Sequence, residues 1–403
     1  MWEQIRINRR NSMILLIAMA ILLLSIGGII GYAWVGPQAA APGMLIAAVV
    51  WLIMTFVSFS AGDQILLASS GAIEVTEEVH PMLFNIVEEM KIAAQLPTMP
   101  KIYIIPDPSP NAFATGRSPK HCAIAVTEGL LAKLNRDELQ GVIAHEVSHI
   151  VHRDILFVTL AGIMLGSIVL LTNVFMRGTM YGGSRRRYSS DRSEGGAQAI
   201  IIVIALLVAI LAPLMAQILY FALSRKREYL ADAGAVRLTR YPEGLAGALE
   251  KIAGSSLPVA AANKVTAPMY ISNPFRGSHV SLFSTHPPVE ERIAILRNMA
   301  QGTAYQDYNQ AYESTTGKSG VIPATALNQT DNAPIRPASA ESSQPMPTAD
   351  KARQHIRIGD YIRQKEGFEM ISCPCGVKLK LPPNFKADKA QCPRCKTIHS
   401  VKN

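Results

Sequence analysis

The chain has 403 residues, a net charge of +9 and a hydrophobic content of 49%. With its positive mean hydropathy, this excludes an ordinary soluble enzyme. Five cysteines are few for this length, and four of them cluster near the C-terminus, which suggests metal binding in a reducing compartment and argues against a disulfide framework.

Four runs carry no charged residue: Met13–Trp34, Met44–Gly62, Ile155–Met176 and Ala197–Leu223. Each is near the length of about 20 residues that crosses a bilayer as a helix. The first follows Arg6, Arg9 and Arg10 and precedes Ala39, Ala40 and Ala41, as a cleavable signal would. Its apolar core is longer than the roughly 7 to 15 residues of such a peptide, and a second run follows almost at once. It is therefore read as a retained anchor, with the N-terminus and everything after the second run in the cytoplasm.

Asn135 and Glu138 have the spacing of a capping box, and Leu139, Val142, Ile143, Val147 and Ile150 follow at helical spacing. This predicted helix carries His145-Glu146-Val147-Ser148-His149. At about 3.6 residues per turn, the two histidines stand one turn apart on one face and can aim at a single Zn²⁺. Glu146 projects from the edge of that face, where it can take a proton from water without being a ligand.

The third and fourth runs then form a predicted hairpin at about 155–223. Its link holds Arg177, Arg185, Arg186, Arg187 and Arg192 against Asp191 and Glu194, against the usual charge bias for an outer link. The first two spans are taken to set the orientation. Beyond the hairpin, Arg225 to Asp232 reads as a helix. A zinc site needs a third protein ligand on the same side of the membrane, and two crossings return the chain there. Glu228 is the expected third ligand. Asp232, one turn further on, is placed to accept a hydrogen bond from the free nitrogen of a ligating histidine.

Four motifs in this order carry a family resemblance: Asn111-Ala112-Phe113-Ala114-Thr115-Gly116, HEVSH at 145–149, Glu228-Tyr229-Leu230-Ala231-Asp232 and Ser284-Thr285-His286-Pro287-Pro288. From about Gly71 to Met299 the chain resembles the HtpX-type membrane zinc metallopeptidases, relatives of the prenyl-protein-processing membrane proteases in the gluzincin group. The resemblance implies a multi-pass endopeptidase of the bacterial inner membrane, active site towards the cytoplasm, that cleaves damaged or misassembled membrane proteins. It implies His145, His149 and Glu228 as zinc ligands and Glu146 as general base. It further implies that Asn111 and Ala112 hold the substrate backbone by strand addition, and the preceding Pro106, Pro108 and Pro110 suit an edge strand. An ordinary turn there is the alternative. His286 is implied as an oxyanion-stabilising group, although Pro287, Pro288 and Glu290-Glu291-Arg292 also read simply as a helix start.

From 301 to 350 the chain is rich in Ser, Thr, Ala, Gln, Asn and Pro and reads as a flexible linker. Cys373-Pro374-Cys375-Gly376 and Cys392-Pro393-Arg394-Cys395 follow as two knuckles, the ligand set of a closed structural zinc site. The first pair has one intervening residue where two are usual, and His399 is a substitute ligand to consider. Residues 351 to 403 hold twelve Lys and Arg against four Asp and Glu, which favours anionic lipid headgroups or acidic substrate segments. Few aromatics interleave with these cations, so nucleic acid is disfavoured.

The expected fold is mainly α and integral to the membrane: four spans, a cytoplasmic α+β gluzincin-like catalytic domain and a small zinc-ribbon-like module. The expected divisions are an anchor at 1–67, a protease domain at 68–300 interrupted by the hairpin, the linker, and the module at 351–403. Two Zn²⁺ ions are expected, one catalytic and one structural, with unfolded or membrane proteins as substrates and lipids as neighbours; the oligomeric state is unspecified. The rival readings are a non-catalytic zinc-binding membrane adaptor and a processing protease with one defined substrate.

Overall fold

A computed structural model describes residues 2–156, 225–260, 266–274, 286–299, 302–328, 333–340 and 348–401, with single positions 159, 177 and 262. The expected runs Ile155–Met176 and Ala197–Leu223 lie outside the described residues, apart from Ile155, Leu156 and Thr159.

Two long helices open the chain. α1 (Trp2–Val35) and α2 (Ala40–Ser69) are joined through a 3-10 turn at Pro37–Ala39. They pack closely because the facing residues are small: a Cβ on Gly27 would stand 2.5 Å from that of Ala47, and one on Gly43 would stand 2.3 Å from the Gly27 carbonyl oxygen. Helices in an apolar solvent associate through such backbone approach, since burial from water is not available to drive them. Among the described residues, Pro37–Ser69 is the stretch long and apolar enough to cross a membrane, and Leu16–Tyr32 is a shorter apolar stretch within α1. Outward-facing Ile14, Ile21, Leu45, Ile46 and Phe56 are all exposed, an apolar surface that suits lipid. α2 does not end at Gly62. It continues to Ser69 and buries Leu66 and Leu67 in the domain below.

That domain is built on a sheet of β1 (Ile73–Glu74), β2 (Lys101–Ile105), β3 (Ala112–Ser118) and β4 (His121–Thr127). The strand order is β1-β2-β4-β3, with β2 parallel to β4 and the other pairs antiparallel. β3 is thus an edge strand, as its proline-rich approach predicts. Gly116 has φ +139, and a Cβ there would lie 2.3 Å from the His121 carbonyl oxygen, so the crossing onto β4 takes glycine alone. Alternation gives the sheet two apolar faces. Ile102, Ile104, Ile124 and Val126 face the helices, whereas Ile105, Phe113, Ala123 and Ala125 face the foot of α2.

On the helical face lie α3 (Pro81–Ala93), α4 (Glu128–Lys133) and α5 (Arg136–Val151). The predicted capping box forms: Glu138 N–H donates to the Asn135 side chain at 2.9 Å, and Asn135 N–H donates to Glu138 at 2.8 Å. α5 is buried almost throughout, enclosed by α6 (Arg225–Thr239), α7 (Pro242–Ala253) and, behind α7, α8 (Val289–Arg297).

The segment 301–350 departs from its expected role as a flexible linker. α9 (Tyr305–Thr316) buries Tyr305, Tyr308, Ala311 and Tyr312 in the main core, and the short α10 (Ala324–Leu327) follows. Arg336 then donates to Asp137 at 2.8 Å, to Gln140 at 2.6 Å and to the Thr239 carbonyl at 2.9 Å. Buried tyrosine rings at helical spacing and a guanidinium that satisfies several acceptors fix a segment whose overall composition is polar.

α11 (Thr348–Lys365) seats Ile358 and Ile362 in the same core, and Tyr361 donates to the Glu74 carbonyl at 3.0 Å. Two hairpins complete the described chain: β5 (Glu369–Ser372) with β6 (Lys378–Leu381), and β7 (Lys389–Gln391) with β8 (Ile398–Ser400).

Candidate metal centre

α5 and α6 bring His145, His149 and Glu228 together, with donor atoms mutually within 4.8 Å. The two Nε2 atoms are 3.2 Å apart; Glu228 oxygens lie 3.5 Å from the Nε2 of His145 and 3.6 Å from that of His149. The rings meet edge to face at 87°, so both nitrogens aim into one gap. Each remaining nitrogen faces a carboxylate. Asp232 stands 2.9 Å from His145 Nδ1, and Asp154 stands 3.3 Å from His149 Nδ1. Two oriented imidazoles and one carboxylate, each ring backed by an acceptor, are the donor set and support that Zn²⁺ takes. The three residues fit that ion.

Glu146 is 1% exposed and points from the same helix. Burial raises its carboxyl above the ordinary range, against the opposing pull of His145 and His149. For Glu228, burial alone would act in the same direction. The charge of His286 and the hydrogen bonds of His145 and His286 outweigh it and hold this carboxylate well below its usual value.

His286 Nδ1 lies 3.3 Å from Glu228, beside the expected third ligand; Ser284 and Thr285 lie outside the described residues. α8 begins directly after Pro288, as the helix-start reading of that motif expects. Sequence reasoning passed over Arg292 as part of a charged helix start. It is fully buried, donates to Asp232 through Nε at 2.8 Å and Nη2 at 2.6 Å, and donates to the Ile271 carbonyl at 2.9 Å. One signal was available: three charges in a row leave one on the inner face of a short helix. Tyr229 hydrogen-bonds Glu291 next to it.

Asn111 and Ala112, expected to hold a substrate backbone, have internal partners. The Asn111 amide donates to the Ser272 carbonyl at 3.0 Å, and the Ala112 carbonyl accepts from Ile271 N–H at 2.9 Å. Asn111 is buried, and a buried amide must be satisfied by the fold itself.

Cys373, Cys375, Cys392 and Cys395 form a second group of converging donors. Sγ atoms of Cys373 and Cys395 are 3.3 Å apart, and those of Cys375 and Cys392 are 3.6 Å apart. Gly376 and Lys396, each directly after the second cysteine of a pair, have φ of +86 and +62, so both knuckles turn the same way despite their unequal spacing. Thr397, 3.1 Å from the Cys395 sulfur, pulls that thiol down to about 6. His399 is not among the converging donors.

Comparison with known proteins agrees with this geometry. Residues 77–300 match the family described as Peptidase family M48. The protein named "Protease HtpX homolog" from Dictyoglomus thermophilum is 47% identical over 301 residues, covering 74% of this chain and 95% of that protein. Its namesake in Ligilactobacillus salivarius is 45% identical over 301 residues, covering 74% and 100%. The crystal structure of S. mikatae Ste24p is 18% identical with a TM-score of 0.38, covering 73% of this chain and 67% of that one. The C-terminal cysteine module lies beyond the matched family region. On the family match and these identities, the chain belongs to peptidase family M48 and is an HtpX-type metallopeptidase.

Proposed function

We propose that the chain is a membrane-bound zinc endopeptidase that hydrolyses peptide bonds of misfolded or damaged membrane proteins. The observation that carries this reading is the convergence of His145, His149 and Glu228 in one gap, with the buried Glu146 carboxyl on the same helix. His145, His149 and Glu228 would hold a Zn²⁺ ion, which would supply Lewis-acid activation of the attacking water, with a pKa of about 7, at neutral pH. Glu146, lifted in pKa by burial, accepts the proton of the attacking water and returns it to the leaving amine. Asp232 and Asp154 hold the two imidazoles in orientation, and His286 stands beside Glu228 as the group to stabilise the oxyanion.

The four thiols of the C-terminal module hold a second, structural Zn²⁺ in this reading. The runs Met13–Trp34 and Met44–Gly62, with Ile155–Met176 and Ala197–Leu223, are four spans of a bacterial inner-membrane protein. The catalytic domain then faces the cytoplasm, and the basic module lies near anionic headgroups.

The test uses full-length protein in lipid, stripped with a chelator and titrated with Zn²⁺ against an unfolded reporter. Cleavage is expected to vanish on stripping and return with zinc, and Glu228→Ala is expected to fail to recover. Cleavage that survives chelation contradicts the metal reading, and zinc uptake without any cleavage favours the adaptor.

A further inference from the structure

The two helices that carry the metal donors run antiparallel. His149 faces Glu228, His145 faces Asp232, and about two turns further from the gap Asp137 of α5 and Thr239 of α6 share one guanidinium. That group belongs to Arg336. Its Nη2 donates to Asp137 at 2.8 Å and to Gln140 at 2.6 Å, its Nε to the Thr239 carbonyl at 2.9 Å, and its backbone N–H to the Arg240 carbonyl at 2.9 Å. The guanidinium also lies 4.8 Å over the Tyr241 ring, and Ser339 N–H donates to the second Asp137 oxygen at 2.8 Å. A cation thus joins the carbonyl end of α6 to the first turn of α5.

Nearer the gap, α9 grips the same pair of helices. Tyr308 and Tyr312 stand about one turn apart on one face. Tyr312 meets the ring of Tyr229, the neighbour of Glu228, at 5.0 Å. Tyr308 is fully buried, and the charges of Asp232 and Arg292 act on its hydroxyl. Tyr305 takes the Arg237 guanidinium of α6 over its ring at 5.3 Å. Thr303 donates to the Ala333 carbonyl at 2.9 Å and so ties the α9 part to the Arg336 part. Both parts lie beyond residue 300, where the family match ends.

We infer that residues 302–328 and 333–340 form a strap that positions α5 against α6, with Arg336 as a positioning residue on which zinc retention by His145, His149 and Glu228 depends. The inference rests on the metal-site reading above. The donors come from two helices far apart in sequence, and a metal site holds its ligands in place to within about 0.5 Å. A small slip of α6 along α5 therefore spoils the gap while each helix stays folded.

The experiment compares full-length wild type with Arg336→Gln, and with Arg297→Gln as control, because Arg297 ties α8 to Glu243 and Glu250 of α7 outside the strap. Zinc dissociation constants are read by chelator-buffered titration in detergent, below the melting temperature of each protein, and Glu228→Ala identifies the binding step that belongs to the gap. Reporter kinetics at saturating zinc give kcat and KM. In Arg336→Gln the gap constant is expected to rise by about tenfold or more, the scale for groups that orient metal ligands, and kcat to fall more than KM changes. The control is expected to match wild type. A wild-type zinc constant in folded Arg336→Gln overturns the inference, whatever its melting temperature, and so does an equal rise in Arg297→Gln, which would mark general loosening. Should Arg336→Gln fail to fold, Tyr312→Leu at the other end of the strap decides by the same criterion. The zinc constant is read without cleavage, so a wild type that binds zinc and cuts nothing overturns the protease reading alone; a wild type with no zinc in the gap overturns both.

Discussion

Asp232 touches both His145 and Arg292, so one buried carboxylate orients a ligand and neutralises a buried cation. Burial would push Asp232 up, but Arg292 and His145 hold it below its ordinary value. Removing one partner of such a pair leaves the other uncompensated, at a cost of about 3–5 kcal/mol. Arg292→Met is therefore expected to lower thermal stability and weaken zinc retention together, and Arg292→Lys is not expected to restore either, because it lacks the two-pronged geometry. Unchanged melting and zinc content would remove Arg292 from this role. His80 gives a pH-dependent test away from the metal. Its Nδ1 caps α3 by accepting from Leu83 N–H at 3.1 Å, and burial, with Arg357 nearby, brings its pKa down from 6.5 to about 4. The folded state favours neutral His80, so this stabilisation is complete above about pH 6.5 and is lost as pH falls towards 4. In His80→Asn, which keeps a capping acceptor, the acid limb of a melting-temperature profile is expected to flatten; an unchanged limb would assign the acid sensitivity elsewhere. His145, Glu146 and His149 were readable because their spacing is set by one helix turn, and Glu228 because two histidines on one face require a third ligand. Arg292 and the internal bonds of Asn111 were not, since both depend on segments far apart in the chain.

Among the elements, the α1–α2 hairpin depends on backbone approach at Gly27 and Gly43. Gly43→Val forces the helices apart and is expected to cost about 1–3 kcal/mol, seen as a lower melting temperature in detergent. A silent substitution would mean that lipid, not helix contact, holds the pair. α9 offers the complementary case. Tyr308 is fully buried, and Tyr308→Ala is expected to destabilise by about 3–5 kcal/mol, the range for removing a large aromatic ring from a core. A flexible linker would tolerate the change without effect. The helix of the metal motif was evident from its capping box and apolar periodicity, and it formed as read. α9 escaped notice because its apolar stripe is written in tyrosine among Gln, Asn and Asp, so composition suggested disorder where ring burial supplies a core.

At the scale of the molecule, α2 is a strut: its upper part is apolar and outward-facing, and its foot is fixed among Phe113, Ala125 and Tyr270. The C-terminal module is seated more firmly than a tether implies, because α11 enters the main core and Lys380 pairs with Asp360 at 2.7 Å. Hydropathy could mark the apolar runs but not how far α2 would continue past them, since burial of Leu66 and Leu67 depends on a partner supplied by the sheet. Cys392→Ser with Cys395→Ser is expected to release one of two zinc ions while cleavage persists, as read by metal analysis and a reporter assay. Loss of both metals would make the module part of the catalytic fold. The central claim is that a metal held by His145, His149 and Glu228 works with Glu146 to hydrolyse peptide bonds. Its most direct test is zinc content and reporter cleavage measured side by side for wild type and Glu146→Gln. Equal zinc with cleavage reduced by about 100-fold or more in the variant is the expected result. Equal zinc with cleavage intact would contradict it.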